Sequence, residues 1–173
     1  MLSRSIILFV LIIASCNGTE QRSPPRYIDL RKFFEDETVR FEKSKVKIDK
    51  SVSRNGVSER KKNISVDWKN EFSLFIESDI NKPAWRNSYK ITEDSRHILY
   101  AAIDSNLRTR SILMKKDGEG RLIQISIINQ TRSSLYNSTE NLRYVRDSMY
   151  TIIKHQDITL LGNNDYKIIG SLK

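Results

Sequence analysis

The sequence predicts an α+β domain: two amphipathic helices and a β-hairpin, with an antiparallel, curved β-sheet packed on the second helix. Three observations lead there. Apolar residues recur twice at helical spacing in the first half of the chain, an Asn55-Gly56 pair separates two alternating runs, and from Ser88 onward short alternating runs follow one another between turn-like tetrapeptides.

The first helix is expected over 29–43. Tyr27, Leu30, Phe33, Phe34 and Phe41 fall near one face, charges occupy the others, and Asp29 is placed to cap the first turn. Such an aromatic stripe reads as core packing rather than a cofactor site, and the acidic run Glu35-Asp36-Glu37 weakens a membrane-lying alternative.

The hairpin follows. Both residues of an Asn-Gly turn tolerate positive φ, so a two-residue loop pairs Arg54 with Val57 and Val52 with Glu59. Carried further, that register turns Ile64 and Val66 to the wrong face. One extra residue near Lys61 or Lys62 restores Ile64 opposite Ile48 and Val66 opposite Val46, so a β-bulge is expected there.

A second helix is expected from Asp67, a good N-cap, with Trp68, Phe72, Phe75 and Ile76 on one face and Pro83 helping to end it. It reads as the central core element. Strands then follow at SYKIT, HILYAAI, RTRSILMKK, RLIQISIINQT, NLRYVRDS, MYTIIKH and YKIIGSL, with turns at EDSR, DSNL, DGEG and GNND. Ile123, Ile125 and Ile127 alternate with Gln124 and Ser126, the habit of a sheet wet on one face.

The N-terminus is of another kind. Ile6 to Ala14 is an apolar run of about nine residues, too short for the ~20 that span a bilayer. Arg4 precedes it and small residues follow, the order of a secretory signal peptide. Ile13-Ala14-Ser15-Cys16 resembles the lipobox of bacterial lipoproteins. The resemblance implies a leader, 1–15, removed before Cys16, and a Cys16 that carries palmitate-type fatty acyl groups. Cys16 is the sole cysteine, so no internal disulfide is possible, and acylation would remove a free thiol from an oxidising compartment. Residues 16–26, polar and with Pro24 and Pro25, read as a flexible tether, and 27–173 as one domain. Four N-x-S/T triplets, at Asn17, Asn63, Asn129 and Asn137, keep eukaryotic secretion as a minor alternative.

Charge is the one unusual quantity: 30 Lys or Arg against 21 Asp or Glu, a formal +9. The excess concentrates between Arg40 and Lys62. Lys43, Lys45, Lys47, Lys50, Arg54, Arg60, Lys61 and Lys62 form a candidate anionic-surface patch, for which lipid headgroups are a nearer polyanion than nucleic acid in an exported protein. Lysines that merely blunt an edge strand explain the same residues.

Catalytic patterns are absent from the sequence. His97 and His155 lack metal-ligand spacing, no cofactor motif or G-x-S-x-G elbow occurs, and paired carboxylates are not identifiable by spacing. No catalytic residue, metal ligand or cofactor is therefore assigned. Trp85 and Tyr89, after the helix stop, are aromatics for either core or contact.

FIESDINKPAWRNSYK and KHQDITLLGNNDYKI resemble stretches of uncharacterised lipoproteins of Bacteroidota-type bacteria, which implies a location and no activity. The resemblance implies a lipid-anchored bacterial envelope protein, in the outer membrane because Asn17 and not Asp follows Cys16, and facing the periplasm because no acidic run of the kind associated with surface export follows it. The reading leans towards a non-enzymatic binding module whose partner is an envelope protein, an apolar ligand or anionic headgroups. The alternative is an exported hydrolase of a cell-envelope substrate, using a carboxylate pair or His155.

Overall fold

The computed structural model describes residues 26–173. The leader, Cys16 and nearly all of the tether lie outside the described residues.

Helix α1 spans Leu30–Lys43, and Asp29 caps it by accepting from the Lys32 N–H at 2.8 Å. Strands β1 (Ile48–Arg54) and β2 (Val57–Ile64) form the hairpin, followed by α2 (Trp68–Glu71), α3 (Ser73–Glu77) and a 3₁₀ turn at Pro83–Trp85. Seven strands complete the chain: β3 (Tyr89–Glu93), β4 (His97–Ala102), β5 (Thr109–Lys116), β6 (Leu122–Arg132), β7 (Tyr136–Val145), β8 (Met149–Ile158) and β9 (Gly162–Leu172).

All nine strands belong to one antiparallel sheet in the order β2-β1-β9-β8-β7-β6-β5-β4-β3. Strands β2 and β3 are its free edges, so the sheet is open and does not close into a barrel.

The predicted α+β class is corrected here. The described residues are 51% strand and 18% helix, a sheet-dominated fold rather than a two-helix arrangement. The hairpin is no separate unit, because β1 pairs with β9 from Ile48↔Leu172 to Arg54↔Tyr166. The second helix is two short pieces broken at Phe72, whose φ of −94° and ψ of 3° leave the helical region. Its Trp, Asn, Phe and Ser are indifferent helix formers, and nine residues are too few to be helical without tertiary support. The principal helix is α1.

Two boundaries also move. Gly162-Asn163-Asn164-Asp165 is not a turn but the start of β9, paired from Ile158↔Gly162 to His155↔Asp165. The reversal lies at 159–161, and Gly162 at φ 77° supplies the left-handed residue at its exit. Strand β7 begins five residues earlier than its apolar alternation, because Asn137, Ser138 and Thr139 pair with β8 through the backbone.

The bulge is where the pattern requires it. Ile48 faces Ile64 while Lys50 faces Lys61, so β2 carries one extra residue, and Asn63 takes φ 54°. Asp49 Oδ1 accepts from the Asn63 N–H at 2.9 Å and fixes the distortion.

The helices cover one face. Leu30, Phe34 and Phe41 of α1 meet Trp68, Phe72 and Phe75 over the sheet residues Ile112, Ile125, Ile127, Leu142, Tyr144 and Tyr150. Aromatic pairs dominate, with ring centroids 4.8 Å apart for Phe34–Phe75 and 4.6 Å for Phe41–Trp68.

Candidate functional site

Strand alternation divides the loops between two ends of the sheet. The turns 55–56, 103–108, 133–135 and 159–161 share one end, called here the near end. The chain also enters the fold there. The Tyr27 hydroxyl donates to the carbonyls of Trp85 and Arg86, the Arg26 guanidinium donates to Asn87, and the next strand begins at Tyr89.

The near end is apolar at its tips. The five most exposed large apolar side chains of the described residues, Leu160 at 99%, Val57, Leu161, Leu135 and Ile103 at 68%, all sit in or beside these turns. Two of the tips are tied together. The Thr159 N–H donates to the Leu135 carbonyl at 3.1 Å and the Thr159 hydroxyl to the Ser134 carbonyl at 3.3 Å. Within each tip, Ser133 Oγ accepts from the N–H groups of Leu135 and Tyr136, and the Ile158 carbonyl accepts from those of Leu160 and Leu161. Most of the N–H groups of these two tips thus have backbone or serine partners, and the leucine side chains are exposed. Leu135, Ile158, Thr159, Leu160 and Leu161 line a shallow apolar depression of about 330 Å³.

Just inside the tips lies a charged network. Glu140 is buried, with Arg108 2.7 Å from Oε2 and Lys154 3.1 Å from Oε1. Asn129 Nδ2 donates to Ser78 Oγ at 2.8 Å and to Glu140 Oε2 at 3.3 Å, which joins β6 and β7 to the end of α3. Burial pushes the Glu140 carboxyl up, but the Lys154 hydrogen bond and the Arg108 charge outweigh it and hold the group below its ordinary value. With both oxygens engaged by cations, this carboxylate is a poor proton acceptor and a good structural clasp.

Most of the sequence-predicted basic residues lie along the β1–β2 edge and around its far end, with Arg54 at the opposite end. Lys43, Lys45 and Lys47 lie around the loop from α1 to β1, at the far end. Lys50 is half-buried against Glu71, Arg60 and Lys61 lie along the exposed edge strand beside Asp49 (3.8 Å) and Glu59 (3.5 Å), and Lys62 is exposed on the same strand. Arg54 alone reaches the near end, its guanidinium 5.5 Å from the Tyr166 ring centre. Cys16 lies outside the described residues.

Of the two histidines, His97 Nδ1 is 3.2 Å from Asp94 and His155 Nδ1 2.6 Å from Asp165 Oδ1. Thr139, His155 and Asp165 form a cross-strand row on the face away from the helices, where the His155 and Asp165 side chains are more than half exposed. No group of three or more His, Cys, Asp or Glu capable of holding a metal occurs among the described residues. Tyr89 is buried with its hydroxyl on the Thr109 carbonyl, and Trp85 lies beneath the Lys82 ammonium.

Sequence reasoning missed both the leucine tips and the buried carboxylates. Leu160-Leu161 stands beside a Gly-Asn-Asn-Asp run, and two adjacent leucines at a strand reversal were the available signal. No family model matches the chain, and no curated protein or solved structure is similar to it.

Proposed function

We propose that this chain is a lipid-anchored envelope lipoprotein of the outer membrane, facing the periplasm, that acts by binding an envelope component and not by hydrolysis. The observation that carries the reading is Ile13-Ala14-Ser15-Cys16 at the end of an apolar run of leader length. One acyl chain holds a protein only marginally, whereas the two or three that a lipobox cysteine receives give stable attachment. No helix among the described residues is long and apolar enough to cross a membrane, so attachment in this reading is assigned to the lipid.

The test is mass spectrometry of the mature N-terminal peptide from the native host, together with detergent partitioning. A diacylglyceryl thioether on an N-terminal Cys16 and recovery in the detergent phase are expected, and Cys16→Ser is expected to accumulate as precursor. An unmodified, water-partitioning chain overturns the anchor. For the binding role, chemical crosslinking of the acylated protein in native membranes is expected to yield one reproducible adduct. A ligand-free monomer without adducts counts against it.

A further inference from the structure

The apolar tips and the start of the folded body share one end of the sheet. We infer that the near end is a membrane-seating surface: Leu135, Leu160 and Leu161, with Ile103 and Val57 beside them, dip into the interfacial zone of the bilayer that carries the lipid anchor. The orientation rests on the anchor reading; the exposure of the tips does not.

Single exposed leucines on a soluble domain are unremarkable, so the weight lies in their placement. The five most exposed large apolar side chains all sit in or beside the near-end turns, whose own charged residues are Asp104 and Arg108, whereas the turns of the far end carry Asp94, Asp117, Glu119, Arg121 and Asp147. A chance scatter would not sort in this way. An apolar cluster rimmed by polar groups marks a contact surface.

Chain length selects the occupant. Arg26 stands ten positions beyond Cys16, and a fully extended chain of that length reaches at most about 35 Å. Arg26 lies at the near end, so a Cys16 held in lipid lets that end reach the bilayer at any tether extension, whereas seating the far end, a strand length away, would need the tether drawn out to its full length. An eleven-residue strand such as β9 is itself about 36 Å long, so the domain standing on its near end places the charged far turns well clear of the headgroups. Charge does not separate the two ends: Arg54, Arg86 and Arg132 are exposed near these turns, where they can meet phosphates around the leucines, but Lys43, Lys45 and Lys47 at the far end are likewise in no ion pair among the described residues.

Seating needs no rearrangement. Because the N–H groups of Ser133, Leu135, Tyr136, Thr159, Leu160 and Leu161 already donate within or between the two hairpins, lowering the leucines into lipid leaves few of these backbone donors without a partner.

The test uses the full chain, processed in a lipoprotein-producing host and reconstituted in phosphatidylethanolamine–phosphatidylglycerol vesicles. Cys16 is the sole cysteine, so Leu160→Cys or Glu119→Cys adds one labelling site for a nitroxide. One label per chain, with the 160 probe shifted to high oxygen and low aqueous-nickel accessibility and the 119 probe in water, is the expected result. One label per chain with both probes in water overturns the seating while leaving the anchor standing. Two labels per chain overturn the anchor; the seating then stands only if the unlabelled chain still floats with the vesicles and Leu160→Ser/Leu161→Ser abolishes flotation. Spin–spin broadening between 160 probes in detergent assigns the tips to a second copy of the chain and overturns the seating.

Discussion

Gly170 of β9 lies directly opposite Tyr150 of β8, and the Tyr150 ring occupies the space that a β-carbon at 170 would need. A Cβ placed there stands 2.2 Å from Tyr150 Cε1. The absence of a side chain at 170 lets the ring lie across the sheet, so that its hydroxyl reaches Glu71 Oε2 and thereby the Lys50 pair above β1. Gly170→Ala is therefore expected to act as an overpacking change, with a cost of about 1–3 kcal/mol read as a lowered thermal midpoint. Tyr150→Phe removes the donor to Glu71 and is expected to cost about 1–3 kcal/mol. Because the glycine places the hydroxyl, the double variant should cost less than the two single costs added. Strict additivity would separate the two residues.

Glu140 makes stability depend on acid. Its folded value lies below the ordinary carboxylate value of about 4.3, so its contribution is fully present above that pH and is lost as pH falls through the folded value. Chemical denaturation from pH 6 down to the acid limit is expected to show a fall that Glu140→Gln flattens. At neutral pH the same variant should be less stable than the parent, because Arg108 and Lys154 lose their shared partner. An unchanged acid limb would remove the clasp role.

The bulge isolates a backbone effect. Asn63 sits at φ 54°, a conformation asparagine tolerates and β-branched residues do not, with its N–H on Asp49. Asn63→Gly is expected to leave the melting temperature close to that of the parent, while Asn63→Val should lower stability by about 1–3 kcal/mol. Comparable losses for both would show that the side chain, not the dihedral, matters.

This bulge also shows what the sequence makes legible. Local alternation and an Asn-Gly turn determine how β1 meets β2, and the mismatch of Ile64 with Ile48 betrays the inserted residue from the pattern alone. Local pattern does not encode which distant strand completes the sheet. Nothing within Ile48–Arg54 says that its other neighbour is β9, over a hundred residues away, and so the hairpin reads as a separate unit. Phe72 fails for a related reason. Its spacing from Trp68 and Phe75 is helical, but the ring is fixed by Phe34, Tyr144 and Tyr150 from other elements, and their packing rather than helix propensity sets the backbone. Glu37 and Glu71 look like ordinary exposed helix carboxylates in sequence; only the fold brings the Tyr144 and Tyr150 hydroxyls to them. At the near end, the glycine and asparagines after Leu161 carry a stronger turn signal than the leucines, yet pairing with β8 draws them into β9 and leaves Leu160 and Leu161 at the reversal.

The cross-strand pair Tyr144↔Tyr150 gives an alkaline counterpart to the Glu140 limb. Burial pushes both phenols up, and the carboxylates of Glu37 and Glu71 that accept from them push further in the same direction, because a phenolate beside a carboxylate is opposed. Burial also raises Tyr100, and takes Tyr89 to about 12. Groups whose folded values exceed the unfolded one, about 10, contribute stability that is complete below that pH and is lost as pH rises through the folded values. Ultraviolet titration near the phenolate band is therefore expected to show these four of the seven tyrosines ionising late, with Tyr144 and Tyr150 released only when the core opens. In Tyr144→Phe and Tyr150→Phe the late step should shrink by one residue each. Phenolate formation by either tyrosine in the folded protein near pH 10 would mean that its hydroxyl is not held beneath the helices as described.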